Sequence, residues 1–178
     1  MRKFIKHFAF ITKHRFCVFL HCARCGLLWR GLVHDLSKYR PSEFFEGIKY
    51  YNGKRSPITE CRAHLGYSKA VIHHVNRNKH HIDYWYNRGN RVQVNMPYKY
   101  AVECVCDKIA ATKCYKGKEY RPEMVLEHWL KHGLSSHAGD NLKQFFTQVF
   151  TDLVNNGEKF VLRRKYLKQK YNEIVLQK

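Results

Sequence analysis

Phe4, Phe8, Ile11, Val18, Cys22 and Cys25 recur at three- and four-residue steps, the spacing that lines side chains along one face of a helix. The run predicts a single amphipathic helix over residues 2–25, and spacing of this kind continues through the chain. Only Val92-x-Val94 alternates, which is too short to found a sheet. Gly26 reads as a C-cap, and residues 27–38 read as a second, short and very apolar helix that should be buried. Pro41, Pro57 behind the N-cap Ser56, Ser68 and Pro97 each open a further helix. Later helices are predicted over 122–132, from Asp140 to about Asn155, and through a basic stretch 159–178. The expectation is an all-α helical bundle, and 178 residues suit one domain with a real core.

The apolar 27–38 segment carries His34 beside Asp35, and a buried carboxylate is costly without a partner. Histidines cluster on both sides of it. His7, His14 and His21 stand at heptad spacing beside the apolar face of the first helix. Seven residues span about 10.5 Å of rise, so at most one of the three can serve a given ion. Downstream come His73-His74 and His80-His81, separated by Asn76-Arg77-Asn78, where a break in the helix would return His80 or His81 toward His74. On the helix opened by Pro97, Glu103 and Asp107 are four residues apart and share a face, where like charges favour a cation between them.

The motifs His-Asp-Leu-Ser-Lys at 34–38, His-His…Asn-x-His-His…Tyr-Trp at 73–85 and Met-Pro…Tyr…Glu…Cys-Asp at 96–107 resemble those of a family of small, mostly phage and bacterial proteins of unknown function with an HD-like core. The wider order His…His-Asp…His…Asp resembles the ligand order of the HD superfamily of metal-dependent phosphohydrolases. This resemblance implies an HD-like core over residues 10–115, extended by helices over 120–178. It implies that His14, with His21 as the fallback, joins His34, Asp35 and Asp107 around one divalent ion. His74 and His80 or His81 would hold a second ion, bridged by Asp35. Imidazole and carboxylate ligands suit Mn, Fe, Co, Ni or Zn. Such ions bring a water to reactivity near neutral pH and offset charge on a phosphoryl group, which points to hydrolysis of a nucleotide, cyclic or signalling nucleotides included. Asp35, Lys38, Glu43 and Glu103 are the candidate catalytic residues, the two glutamates to orient water or donate a proton. Lys38 and Arg77 are candidates for binding phosphate and Tyr84 for stacking a base. Lys38 could equally pair with Glu43, His80-His81 could serve as a supporting layer, and Trp85 reads as core ahead of a surface loop over 87–91.

Composition adds limits. Lys and Arg number 33 against 14 Asp and Glu, a formal charge of +19 that favours polyanionic partners. A nucleic-acid-binding protein or nuclease, and a protein that sequesters a nucleotide without cleaving it, are therefore the alternatives. The seven cysteines do not space as a disulfide framework and read as small buried hydrophobes in a reducing cytoplasm. A zinc site on Cys22, Cys25, Cys104 and Cys106 is the other reading of four of them. No run of eighteen uncharged apolar residues exists, which excludes a spanning helix. The lack of any acid before Asp35 leaves a basic membrane-surface helix open.

Overall fold

A computed structural model describes residues 1–87 and 89–178, so Arg88 of the expected 87–91 loop lies outside the described residues. The fold is all-α. Ten α-helices are present among the described residues: α1 (Arg2–Arg24), α2 (Leu28–Val33), α3 (Pro41–Tyr50), α4 (Pro57–Leu65), α5 (Lys69–Arg77), α6 (Tyr98–Lys116), α7 (Glu123–His128), α8 (Asp140–Asn156), α9 (Glu158–Val161) and α10 (Arg164–Ile174). The one sheet among them is a two-residue hairpin, β1 (Tyr86–Asn87) against β2 (Val92–Gln93), with Tyr86 opposite Gln93. The α7 helix widens into a π turn over Trp129–Gly133, and the basic C-terminal stretch divides into α9 and α10.

The middle of the molecule is α6. Residues 101–106 are all buried, which covers the full circumference of the helix and explains its lack of a polar face. Around it pack Val18, Cys22 and Cys25 from the end of α1, Trp129, the α8 face of Phe145, Phe146, Val149 and Phe150, and Leu167 and Tyr171 of α10. Each large side chain fully buried here contributes about 1.5–3 kcal/mol. Tyr171 donates its phenolic proton to the Met96 carbonyl at 2.6 Å, so the C-terminal helix is tied to the entry of α6. A single apolar cluster thus runs from Val18 to Val175, and the C-terminal helices share the core of the rest. Among the described residues, no side chain from 36 to 81 belongs to that cluster.

Two sequence expectations are corrected near the N-terminus. Phe4 and Phe8 are exposed, and the inward face of α1 is instead His7, Ile11, His14, Val18, His21 and Cys22. The heptad histidines face inward because each meets something polar or close-fitting. His21 Nδ1 lies 3.3 Å from the Cys106 carbonyl, and the His7 ring sits against Gly47, where a Cβ would come within 2.3 Å of Nε2. The predicted helix over 27–38 is the second correction. It stops at Val33, and a 3-10 turn over Leu36–Tyr39 follows. The break is at Asp35, which takes the left-handed conformation with φ 52°, one that aspartate tolerates better than most residues. Arg15 caps the broken end by donating Nε to the His34 carbonyl at 2.7 Å and Nη2 to the Leu32 carbonyl at 2.9 Å. Leu28, Trp29, Leu32 and Leu36 are consequently on the surface, whereas His34 and Asp35 are buried as expected.

Candidate metal centre

Successive side chains on a regular helix point about 100° apart, so His34 and Asp35 could not share a centre if α2 simply continued. The left-handed turn at Asp35 removes that obstacle. Asp35 Oδ2 lies 3.3 Å from His34 Nε2 and 3.8 Å from His14 Nε2 of α1. Asp107 Oδ1 of α6 closes the group, 3.0 Å from His14 Nε2 and 3.5 Å from His34 Nε2. The other oxygen, Asp35 Oδ1, faces away from these residues and lies 3.4 Å from His74 Nε2 and 3.5 Å from His80 Nε2. His81 joins this second group, and the ligand atoms of each group all fall within 4.8 Å of one another. Asp35 therefore stands between two clusters and presents one oxygen to each.

These clusters can hold a metal ion. Bonds of about 2.0–2.2 Å to a four-coordinate ion set the ligand atoms about 3.3–3.6 Å apart, and His34, His74 and His80 stand 3.3–3.5 Å from Asp35, with His14 at 3.8 Å. Five of the atoms that would ligate are also left unsatisfied. His14 Nε2, His34 Nε2, Asp35 Oδ1, His80 Nε2 and His81 Nε2 are buried without a hydrogen-bond partner. Asp107 Oδ1 is near His14 Nε2 but off the direction a hydrogen bond needs. Several orphaned buried polar atoms converging on one place are costly unless something binds there.

Two glutamates orient the imidazoles from behind. Glu103 is wholly buried, accepts from His34 Nδ1 at 3.0 Å and lies 3.3 Å from His80 Nδ1. Arg30 clamps the Glu103 Oε2 atom with Nε and Nη2, both at 2.7 Å. Glu43 accepts from His74 Nδ1 at 2.8 Å and pairs through its other oxygen with His73. A neutral histidine donating from Nδ1 keeps the lone pair of Nε2 free, and in His34 and His74 that atom faces Asp35, so a metal there would take the place of the proton that the carboxylates otherwise favour on His34. Asn78 completes this support, with Nδ2 donating to the His74 carbonyl at 2.8 Å and to Ser37 Oγ at 2.7 Å. It is also the C-cap of α5, the break that brings His80 and His81 back beside His74.

Burial disfavours charge on every one of these groups, and their neighbours decide the outcome. Burial lowers the His14 pKa, and it lowers that of His81 strongly with help from His80 and His74, so burial favours the neutral form of both rings. At His34 burial is outweighed by Asp35, Asp107 and Glu103, which push its pKa well above the ordinary value. Asp35 is likewise buried, yet His34, Lys38 and His74 hold its carboxyl well below the usual range. Burial would raise Glu103, but its histidine partners bring it down to about 2.

A cleft of about 530 Å³ opens beside the centre, with His14, His74, His81 and Asp107 in its wall. Lys38 and Glu43 reach it too. Lys38 Nζ pairs with Asp35 Oδ2 at 2.6 Å and not with Glu43, whose oxygens are taken by the two histidines. Glu103 lies behind the ligands and outside the lining, so its position suits orientation more than contact with substrate. Arg77 and Tyr84 are exposed and line no part of the cleft; Lys79 lies over the Tyr84 ring instead. His7, expected to be no ligand, lies in the cleft wall, and His21 lies away from the ligand groups. The thiolate alternative is not supported by position. Cys25 Sγ is 3.9 Å from Cys106 Sγ, but no cysteine belongs to a possible metal group among the described residues. Arg30 was not expected at the site, whereas Ser37, His73 and Asn78 stand within the His-Asp-Leu-Ser-Lys and His-His…Asn-x-His-His motifs without the contacts they make being foreseen. Their roles depend on which carboxylate or imidazole they meet across the fold, and spacing along the chain carries no signal for that.

Over residues 3–155 the sequence matches a family of unknown function, DUF5662. The chain belongs to that family. The DUF5662 match takes in α1 to α7 and nearly all of α8, hence every ligand from His14 to Asp107. No curated protein and no solved structure matches the chain.

Proposed function

We propose that the protein is an HD-type metal-dependent phosphohydrolase acting on a nucleotide, as a phosphatase or a phosphodiesterase. The observation that carries the reading is Asp35, which offers Oδ2 to the His14, His34 and Asp107 group and Oδ1 to the His74, His80 and His81 group. A carboxylate placed between two imidazole-rich clusters suits a bridge between two divalent transition metals, with Mn, Fe, Co, Ni and Zn all compatible with the donor set. Bound ions of this kind supply an activated water and offset charge on a phosphoryl group. The chain's own residues do the rest. Glu43 and Glu103 hold the imidazoles in register, and Lys38 on the cleft side is placed to pair with a phosphate oxygen.

The cleft favours a small substrate over a polymer, because its volume is that of a ligand pocket and its wall includes Phe10, Ile11 and Tyr115 beside the basic Lys38, Lys54 and Arg55. All seven cysteines are free thiols, which supports a reducing compartment such as the cytoplasm. The test is metal content by elemental analysis of wild type and Asp35→Asn, each as purified and after incubation with Mn²⁺, followed by a panel of nucleoside monophosphates and cyclic nucleotides. The reading requires about one or two ions in wild type, their loss in the variant, and phosphate release or diester cleavage that follows the metal. A wild type that takes up no metal under either condition refutes it. Metal uptake without turnover on any nucleotide favours the sequestering alternative.

A further inference from the structure

The face of α1 that points away from the core is apolar. Ile5, Phe16 and Leu20 are exposed, Phe16 at 60%, and their spacing of eleven and four residues aligns them along one side of the helix. The segment from α2 to Tyr39 runs antiparallel beside it. Gly31 approaches the Phe19 backbone so closely that a Cβ would sit 2.9 Å from its Cα, and Tyr39 Oη lies 2.9 Å from Thr12 Oγ1. This second segment adds Trp29, 71% exposed, with Leu32 and Leu36. Single exposed apolar residues are ordinary, but six on two adjoining elements form a patch that marks an interaction surface.

Its charge narrows the partner. Lys6, Lys13 and Arg24 are exposed and, at steps of seven and eleven residues, follow one edge of α1. The first acidic residue of the chain is Asp35, and it is buried in the metal centre. The surface is therefore apolar and cationic with no exposed carboxylate of its own before α3. A second copy of this chain would set like charges against each other on this face. An anionic lipid surface complements both properties, since the aromatic and aliphatic side chains reach the acyl boundary while the basic edge meets the phosphates. We propose that α1 and α2 form a peripheral docking face for an anionic bilayer, with α1 lying in the membrane plane. The proposal does not rest on the phosphohydrolase reading.

The experiment is flotation of the full chain with vesicles of phosphatidylcholine alone or mixed with phosphatidylglycerol, at low and high salt, alongside Trp fluorescence. Wild type should float with the anionic vesicles, weakly or not at all with neutral ones, and less at high salt. The Trp29 emission should shift to the blue, and Trp29→Phe should abolish the shift, since Trp129 is buried and Trp85 packs against the core near Tyr100, away from this face. Phe16→Ser with Leu20→Ser should weaken binding by about a hundredfold or more. The triple replacement Lys6→Ser, Lys13→Ser and Arg24→Ser should cost about fivefold per charge, about a hundredfold in all. All these positions are exposed, and circular dichroism checks that the variants fold. Failure of wild type to float with anionic vesicles overturns the proposal, as does equal, salt-independent binding to neutral ones. So does sedimentation of wild type as a dimer that the Phe16 and Leu20 replacements dissociate, because a second copy would then cover the face.

Discussion

Replacing Glu103 by Gln changes one carboxylate oxygen to an amide nitrogen and leaves every ligand of the two groups that share Asp35 in place. Glu103 touches no part of the cleft, yet its carboxylate holds His34 Nδ1 at 3.0 Å and is itself held by two Arg30 nitrogens at 2.7 Å. The amide can still accept from His34, but it cannot answer the guanidinium with a charge, and hydrogen bonds to charged groups are worth about 1.5–3 kcal/mol each. Removing a residue that orients a ligand costs metal affinity about 10–100-fold, which is about 1.4–2.7 kcal/mol. Glu103→Gln should therefore bind Mn²⁺ or Zn²⁺ more weakly by that factor, measured by calorimetric titration of metal-stripped protein against a competing chelator. Asp35→Asn should lose more, because it removes the group common to both clusters. Arg30→Met should approach the Glu103→Gln value, since it frees the same carboxylate from its anchor. Unchanged affinity in Glu103→Gln, with a clear loss in Asp107→Asn, would show that His34 needs no orientation from behind and would refute the argument.

Lys38→Met should lower turnover at least tenfold while metal content stays at the wild-type level, because a lysine on phosphate is worth a charged hydrogen bond; loss of the metal would place Lys38 in the framework instead. Gly31→Ala should destabilise the fold by about 1–3 kcal/mol in urea titration, since its Cβ would meet the Phe19 backbone at 2.9 Å and neither helix can yield easily. The His7 pKa is lowered by burial, and by Lys38, to about 4 from 6.5. Above pH 6.5 the ring is neutral in both folded and unfolded chains; between there and about pH 4 only the unfolded chain gains the proton, so stability falls as pH falls, by at most about 3 kcal/mol. His7→Gln should flatten that part of the pH profile, and an unaltered profile would remove His7 as its source.

The sequence was most readable where chemistry and helix geometry coincide. The helix opened by Pro97 is legible from that proline and α1 from its three-four spacing, but the burial of α6 all round its circumference is not. His34 and Asp35 stand out because a His-Asp pair in an apolar run is expensive unless partnered, while Asp107 rests on its four-residue spacing from Glu103 and on the resemblance to the HD ligand order. The inward direction of α1 was misread because Phe4 and Phe8 outweigh histidines on any hydrophobic count, whereas the fold pays attention to what each histidine meets across the interface. The left-handed turn at Asp35 was also beyond reach, since no glycine or asparagine advertises it. Arg77 and Tyr84 are candidates by side-chain chemistry alone, and both face solvent, Arg77 at the end of α5 and Tyr84 in the turn over Ile82–Trp85. Arg30 illustrates the general case: its partner is 73 positions away, and only the packing of α2 beside α6 brings them together.

Residues 36–81 give no side chain to the main apolar cluster among the described residues; α3 meets α1 where Phe44 and Gly47 pack on the His7 ring, and His74 of α5 reaches the shared carboxylate of Asp35. Ions seated there would act as a cross-link between two halves with unlike sources of cohesion. Chelation should then leave α6 to α10 as protected from hydrogen exchange as before, while amides of α3 to α5 open at a rate set by free metal concentration, with a local stabilisation that grows as RT ln(1 + [M]/Kd).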